Sequence, residues 1–347
     1  IRDRLRSRGL GDVYKRQIWY TLIEIKRIRG NSMDNKIFKN LDEQVEILKQ
    51  KNLTINDVNY AKEVLLRENY FFLNGYRYPF IKSLDNKVYI DGVTFEELYS
   101  LFLFDRKLRN ILFKNILMIE NNIKSIISYQ LSKKYGYRER DYLNPNNFNY
   151  IPEKRKQVND LLGKMKRQIK DNAANHTATK HYINNYGYIP LWVLVKVLSF
   201  GIVGELYSIL KKEDQKIIAD IYNLDIDTLT MYLPILSNYR NLCAHEDIVF
   251  ENHTQRAIND TIYHSMLGIN KMDGEYIYGK NDIFALIIIM KEMLQDNEFK
   301  DMTLEIEHII KNLEYNLKTI PIGKVLDRMG FPENWQQIAN ITKKVEE

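Results

Sequence analysis

The sequence has one cysteine, Cys243, which excludes an internal disulfide framework and any cysteine-rich zinc module. A single thiol fits a reducing compartment, and the cytoplasm is the expected location. Glycine (15) and proline (7) are scarce in 347 residues, so the turn chemistry of a sheet-rich fold is missing. No apolar run approaches the roughly 20 residues that span a bilayer. The longest, "FALIIIM" at 284–290, reads as a core helix segment, and no membrane partner is expected. Gly-rich phosphate loops, Ser or Cys triads and metal-ligand spacings do not occur, and no cofactor is expected. Internal repeats and low-complexity segments are also missing.

The charge is less informative than it looks. The net charge is +6, and residues 1–32 hold nine basic and three acidic side chains, so the chain from Met33 onward is formally neutral. "DVYKRQ" at 12–17 is also the translation of a sequencing-transposon adapter. Residues 1–17 therefore read as an assembly artefact and 18–32 as an upstream frame, together a non-native or disordered leader to set aside from fold reasoning. The competing reading is a native basic arm.

What remains is helical almost throughout. Asn56 or Asp57 is the expected N-cap of a helix carrying Tyr60, Val64 and Leu65. "YFFLNGYRYPF" at 70–80 is an aromatic hinge, and "KSLDNKVYIDGVT" reads as a small hairpin or loop turning at Asp85-Asn86. Thr94 and Glu97 form a capping box opening a long helix, on which Leu98, Leu101, Phe102, Leu108, Leu112, Ile116, Ile119 and Ile123 recur at three and four. A basic amphipathic helix follows near 153–171. "LWVLVKVLSFGIVGELYSIL" reads as one central apolar helix, a shorter helix lies near 213–222, and two or three more follow residue 254. The predicted class is all-α: a leader at 1–32, an N-terminal helical segment at 33–93, a core at 94–250 and C-terminal helices at 251–347.

The stretch "SNYRNLCAHEDI" at 237–248 ends one of these helices. At 100° per residue, Tyr232, Ile235, Leu236, Tyr239, Leu242 and Cys243 make one apolar stripe about 120° wide. Ser237, Asn238, Arg240, Asn241 and His245 gather outside it, with Asn241 and His245 at i, i+4. Glu246 would return to the apolar stripe, where a carboxylate is costly, so the helix should stop at or just before it. Pro234 marks either the start of this helix or a kink. The arginine, four residues and a histidine suggest phosphate chemistry. A guanidinium offers a planar fork of donors, an imidazole passes protons near neutral pH, and RNA carries its own nucleophile in the 2′-hydroxyl. One histidine can hardly be both base and acid, but two copies across a two-fold axis would supply a pair. The spacing alone is a weak signal, since an exposed Arg and His at a helix end are commonly solvated surface.

"YRNLCAH" resembles the motif of HEPN ribonucleases, including the polar residue after the arginine. "LDEQVEILKQKNLTI", "ENYFFLNGYRYPF", "LFLFDRKLRNILFKNILMIE", "IPLWVLVKVLSFG" and "GFPENW" are similar, in that order, to segments of the Abi family of abortive-infection proteins (the AbiD/AbiF group). The resemblance implies a HEPN-type helical bundle with N- and C-terminal helical extensions. It further implies a metal-independent endoribonuclease of phage defence or a toxin–antitoxin system, acting as a homodimer, with a small non-coding RNA as a regulator. Arg240 and His245 carry over as catalytic, Asn241 as their helper, and Asp105, Arg109 and Glu120 as supporting residues. Glu246 and Asp247 depart from the family pattern and would repel an RNA unless they orient His245 or face away. They favour the alternative of a non-catalytic RNA-binding effector that holds a small non-coding RNA or a protein partner.

Other residues have two readings each. Lys154, Arg155, Lys156, Lys164, Lys166, Arg167 and Lys170 would track an RNA backbone, or form an ordinary solvated face. His176 and His181 lack a third metal ligand and read as surface. Tyr76, Tyr78 and Phe80 offer faces for base stacking but read first as core. Asp105, Arg109 and Glu120 read as a structural ion-pair network near the apolar stripe. His253, His264 and His308 have no evident partner.

Overall fold

A computed structural model describes residues 37–341 apart from 84 and 86. The leader at 1–32 and Asn86 of the expected turn lie outside the described residues. The chain divides into a first unit, residues 1–44, and a second, residues 45–347. The described part of the first unit opens helix α1 (Leu41–Gln50), with Asn40 accepting from the Glu43 N–H at 3.0 Å.

The second unit is mostly helical. Asp57 caps α2 (Val58–Glu68), accepting from the Tyr60 N–H at 3.0 Å, and α3 (Tyr70–Gly75) follows. The polar excursion closes through an antiparallel bridge between Ile81 and Tyr89. Helix α4 (Phe95–Tyr135) is 41 residues long and opens on the expected Thr94–Glu97 capping box. All eight apolar positions named for it are buried. Glu97 also reaches a distant part of the chain. Its Oε1 accepts from the Lys318 and Thr319 N–H groups at 2.6 and 2.7 Å, which ties the C-terminal segment to the start of α4.

After α4 come α5 (Glu139–Tyr142), α6 (Arg155–Asn172), α7 (Thr177–Tyr186), α8 (Leu191–Val197), α9 (Phe200–Ile209), α10 (Lys212–Asp220) and α11 (Ile226–Ala244). The C-terminal part adds α12 (Ile262–Met266), strands β1 (Lys271–Met272) and β2 (Glu275–Tyr276), α13 (Ile283–Met293), α14 (Asp296–Asn316) and α15 (Gly323–Met329). The short antiparallel β1–β2 pair is the only sheet among the described residues. Helix α4 packs against α8, α11 and α14 and is the axis of the unit.

Two expectations need correction, and one pair of alternatives is narrowed. The apolar run 191–210 is two helices, because Ser199 leaves the helical conformation and caps α9 through the Ile202 N–H at 3.4 Å. Pro234 does not start α11: it lies inside a helix that begins eight residues earlier, where Asp225 caps the Thr228 N–H at 2.8 Å. Among the described residues the C-terminal part carries four α-helices, not two or three. Among the described residues no helix is long and apolar enough to cross a membrane.

Candidate functional site

The face of α11 divides as the 100° wheel predicts. Tyr232, Ile235, Leu236, Tyr239 and Cys243 are buried, and Leu242 is half-buried at the edge of the stripe. Tyr239 donates to the Asn252 carbonyl at 3.3 Å, fixing the chain beyond the helix. Burial pushes the Cys243 thiol up to about 12, so it is no nucleophile near neutral pH.

The helix stops where the cost of burying Glu246 says it should. His245 is the C-cap, and its N–H donates to the Asn241 carbonyl at 3.0 Å. Glu246 takes the left-handed conformation, φ +57°. The Glu246 N–H reaches the Cys243 carbonyl at 3.4 Å and the Asp247 N–H reaches the Leu242 carbonyl at 3.1 Å. These two bonds are a Schellman cap with glutamate where glycine is usual. Asn241, His245, Glu246 and Asp247 are all exposed.

Arg240 is half-buried and braced from behind. Its guanidinium lies 5.7 Å from the Phe113 ring centroid, and its Nε is 3.5 Å from Glu120 Oε2. The Glu120 side chain is only 6% exposed, whereas that of Arg240 is 35% exposed. Lys124, one turn on along α4, donates to Glu120 Oε1 at 2.6 Å. The Arg240–Glu120 approach is too long and too poorly aligned to count as a hydrogen bond, and both atoms lack any hydrogen-bond partner among the described residues. The pair steers the guanidinium without consuming its donors.

Asp105 and Arg109 belong to a second cluster. Asp105 is fully buried and accepts from four groups: Tyr76 hydroxyl at 2.7 Å, Arg109 Nη1 at 2.5 Å, Val249 N–H at 3.2 Å and Phe250 N–H at 2.8 Å. Burial pushes its carboxyl up, against the pull of Arg109 and the three other donors. Arg109 also donates to the Asp247 carbonyl at 3.3 Å. One aspartate on α4 thus pins the chain immediately beyond His245. Glu246 lies in the field of the same arginines. Arg106 is held charged first by its hydrogen bond to Glu68 and, more weakly, by Glu246. Arg109 is held charged, against its burial, by Asp105, Tyr76 and Glu246. The sequence groups Asp105, Arg109 and Glu120 as one network, and the structure separates them into a pin for the loop and a brace for Arg240.

The basic helix α6 buries Val158, Leu161, Leu162 and Met165 and leaves Arg155, Lys156, Lys166, Arg167 and Lys170 exposed, with Lys154 half-buried. Lys164 is paired with Glu205 at 2.6 Å, and Arg155 lies 5.1 Å over the Tyr150 ring. His176 is the N-cap of α7, accepting from the Thr179 N–H at 3.3 Å, while exposed His181 lies 2.9 Å from Asn185. The two imidazoles serve different turns of one helix. His264 is wholly buried, with Nδ1 accepting from the Thr261 N–H at 3.0 Å and Nε2 facing the Gly279 carbonyl at 2.9 Å. Tyr76 and Phe80 are core residues, which leaves half-buried Tyr78 as the accessible ring of that hinge.

The family description that matches, over residues 63–251, is Abi-like protein. The chain belongs to this family. The matched region of the Abi-like protein runs from within α2 to just beyond the pinned loop, and includes Tyr76, Asp105, Arg109, Glu120, Arg240 and His245. Helices α12–α15 and the segment "GFPENW" at 330–335 lie beyond the match. No curated protein and no solved structure shows significant similarity to the chain.

In the Abi-like protein, "GFPENW" has a packing role. Gly330 closes α15 in the left-handed conformation, and Phe331 sits edge-on to Phe284 and to buried Trp335, at 5.3 and 5.0 Å. Sequence reasoning missed Lys124 and Phe113 as neighbours of the Arg240 brace. Lys124 had a signal, its i+4 relation to Glu120, but Phe113 had none.

Proposed function

We propose that this Abi-like protein is a metal-independent endoribonuclease with a HEPN-type core, serving abortive infection or a related growth-arrest system. The observation that carries the reading is the end of α11. There a braced, partly exposed guanidinium and an exposed imidazole without a side-chain partner among the described residues stand five residues apart at the end of one helix. Family membership supports the phage-defence role.

In the proposed reaction His245 takes the 2′-hydroxyl proton, the 2′-oxygen attacks phosphorus, and the bond to the 5′-oxygen breaks. The products are a 2′,3′-cyclic phosphate and a 5′-hydroxyl. Arg240 stabilises the charge on the five-coordinate phosphorane, and Asn241 orients the scissile phosphate. Glu120 fixes Arg240 through its Nε and leaves the outer nitrogens of the fork for phosphoryl oxygens. The 5′-oxygen needs a proton donor, supplied by His245 of a second copy across a two-fold axis. The exposed cations of α6 hold the flanking backbone, and a small non-coding RNA is a fitting regulator for such a surface.

The test is RNA cleavage in EDTA by the wild type and by Arg240→Ala and His245→Ala. Loss of roughly 10²–10⁴-fold in each supports the assignment, as expected for removing a charge-stabilising donor or a general acid–base. The exposed carboxylates of Glu246 and Asp247 beside His245 favour a second reading, an effector that holds RNA without cutting it. Tight binding with no cleavage, unchanged in both variants, selects that reading.

A further inference from the structure

Away from α11, the densest unexplained surface is aromatic. Gly136, at φ +95°, turns the chain out of α4 and presents Tyr137. The Tyr137 ring is 5.6 Å from Tyr188 and 5.8 Å from Trp192. Tyr188 is 6.3 Å from Tyr186, which is 5.4 Å from Tyr182. Five rings thus run in sequence across the surface, each tilted to its neighbour by 36–54°. Rings tilted in this way do not cover one another's faces. Tyr137, Tyr186 and Trp192 are 39, 56 and 44% exposed. Water contact at so much aromatic area in one place marks a binding surface rather than stray exposure.

The charge around the rings selects the occupant. The Arg138 guanidinium sits 5.1 Å over Tyr188 and 5.9 Å from Tyr137. Of the acids in the same segment, Glu139 accepts from the Ile189 N–H, and Asp141 accepts from the Arg138 N–H at 3.4 Å while its Oδ1 lies 3.5 Å from Arg140 Nε. Glu139 and Arg140, the two residues after Arg138, line a cleft of about 530 Å³ together with Lys166 and Ile169 of the basic helix. Arg140, three residues beyond Tyr137, thus shares a cleft with Lys166 of the basic helix, which joins the segment of the first ring to the cations of α6. Open π-faces interleaved with cations fit unpaired bases on a phosphate backbone; a duplex keeps its bases stacked and out of reach.

We propose that Tyr137, Tyr182, Tyr186, Tyr188 and Trp192 form a stacking platform for unpaired nucleobases, with Arg138, Arg140 and Lys166 holding the phosphates of that single strand. The platform deepens the RNA reading given above and rests on it.

The experiment measures binding of the full chain to a labelled 12-nucleotide single strand by fluorescence anisotropy. The probe is 2′-O-methylated so that it lacks the attacking hydroxyl, and its duplex is the control. Tyr186→Ala and Trp192→Ala change exposed rings, and unchanged thermal midpoints verify their folds. Each should weaken single-strand binding roughly tenfold, with Tyr186→Phe remaining within about twofold of wild type. Trp192 emission should be quenched by the single strand and not by the duplex. Alanine variants that bind as tightly as wild type overturn the platform, as does equal affinity for the duplex. If the wild type cleaves RNA while these variants keep full affinity, only the platform falls. If the wild type binds no RNA, the reading of the α11 end falls with it. A protein partner lost in the same variants, with RNA affinity intact, reassigns the surface and also overturns the proposal.

Discussion

Replacing Asp105 by Asn tests whether the pin beyond His245 is real. The carboxylate is fully buried and takes four donors, three of them on Oδ2: the Tyr76 hydroxyl, Arg109 Nη1 and the Val249 N–H. An asparagine fitted into the same space keeps one accepting oxygen. Its amide nitrogen must then face donors, whichever way it is turned. Arg109 also loses its counter-charge while remaining buried. Breaking a buried pair by removing one partner costs about 3–5 kcal/mol, a large share of the 5–15 kcal/mol that holds a typical domain folded. Urea unfolding followed by circular dichroism should show a lower midpoint at unchanged slope. Arg109→Met should cost a similar amount by stranding the carboxylate. The double variant should cost less than the two together by at least about 1 kcal/mol, because the second change removes a group that the first left unpaired. Amide exchange at Val249 and Phe250 should rise in Asp105→Asn before global unfolding. A loss below about 1 kcal/mol for Asp105→Asn, or simple additivity in the double variant, would refute the pin.

Three further outcomes follow from other sites. Glu246→Gly should stabilise the protein by about 1 kcal/mol in thermal or urea unfolding, since glycine accepts φ +57° without the Cβ penalty; if Glu246 also repels RNA, the same variant should bind RNA more tightly in anisotropy. Gly330→Ala should lower the thermal midpoint by several degrees, because φ is +73° and an added Cβ overlaps the Asp282 carboxylate that caps α13 through the Ala285 N–H at 2.9 Å. Burial holds the His264 imidazole below its ordinary value, so between pH 6.5 and that lowered value the unfolded chain takes up the proton and the folded chain does not. Stability attributable to His264 is therefore present at pH 7.5 and falls as pH drops below about 6.5. Relative to His264→Gln, the wild type should lose up to about 1.4 kcal/mol per pH unit in that window, measured by urea unfolding at pH 7.5, 6.5 and 5.5.

Local signals in the sequence located most of the helices. The Thr94–Glu97 box, the Asp57 cap and the three-and-four spacing of α4 are short-range features, and the structure has them where the sequence puts them. The end of α11 was legible for the same reason: a carboxylate returning to an apolar stripe forces a stop. The break at Ser199 was not, because the surrounding run is almost wholly apolar and one capping hydroxyl does not change its periodicity. Pro234 left a helix start and an internal kink both open, and the Asp225 cap nine residues before it excludes the start. The ring array was hidden because Tyr137 lies far along the chain from the other four rings, which fall within 182–192. Two i, i+4 pairs, Tyr182 with Tyr186 and Tyr188 with Trp192, leave a trace along the chain.

The length of α4 sets a ruler. Glu120, behind Arg240, and Tyr135, two residues before the first ring of the array, sit on the same rigid rod about 22 Å apart along its axis. A strand that touches both places has to cover that gap, which at a stacked rise of about 3.4 Å takes roughly six nucleotides. Oligomers below that size can occupy one end of the rod or the other but never both. Their turnover should therefore step up once the chain is long enough to bridge it.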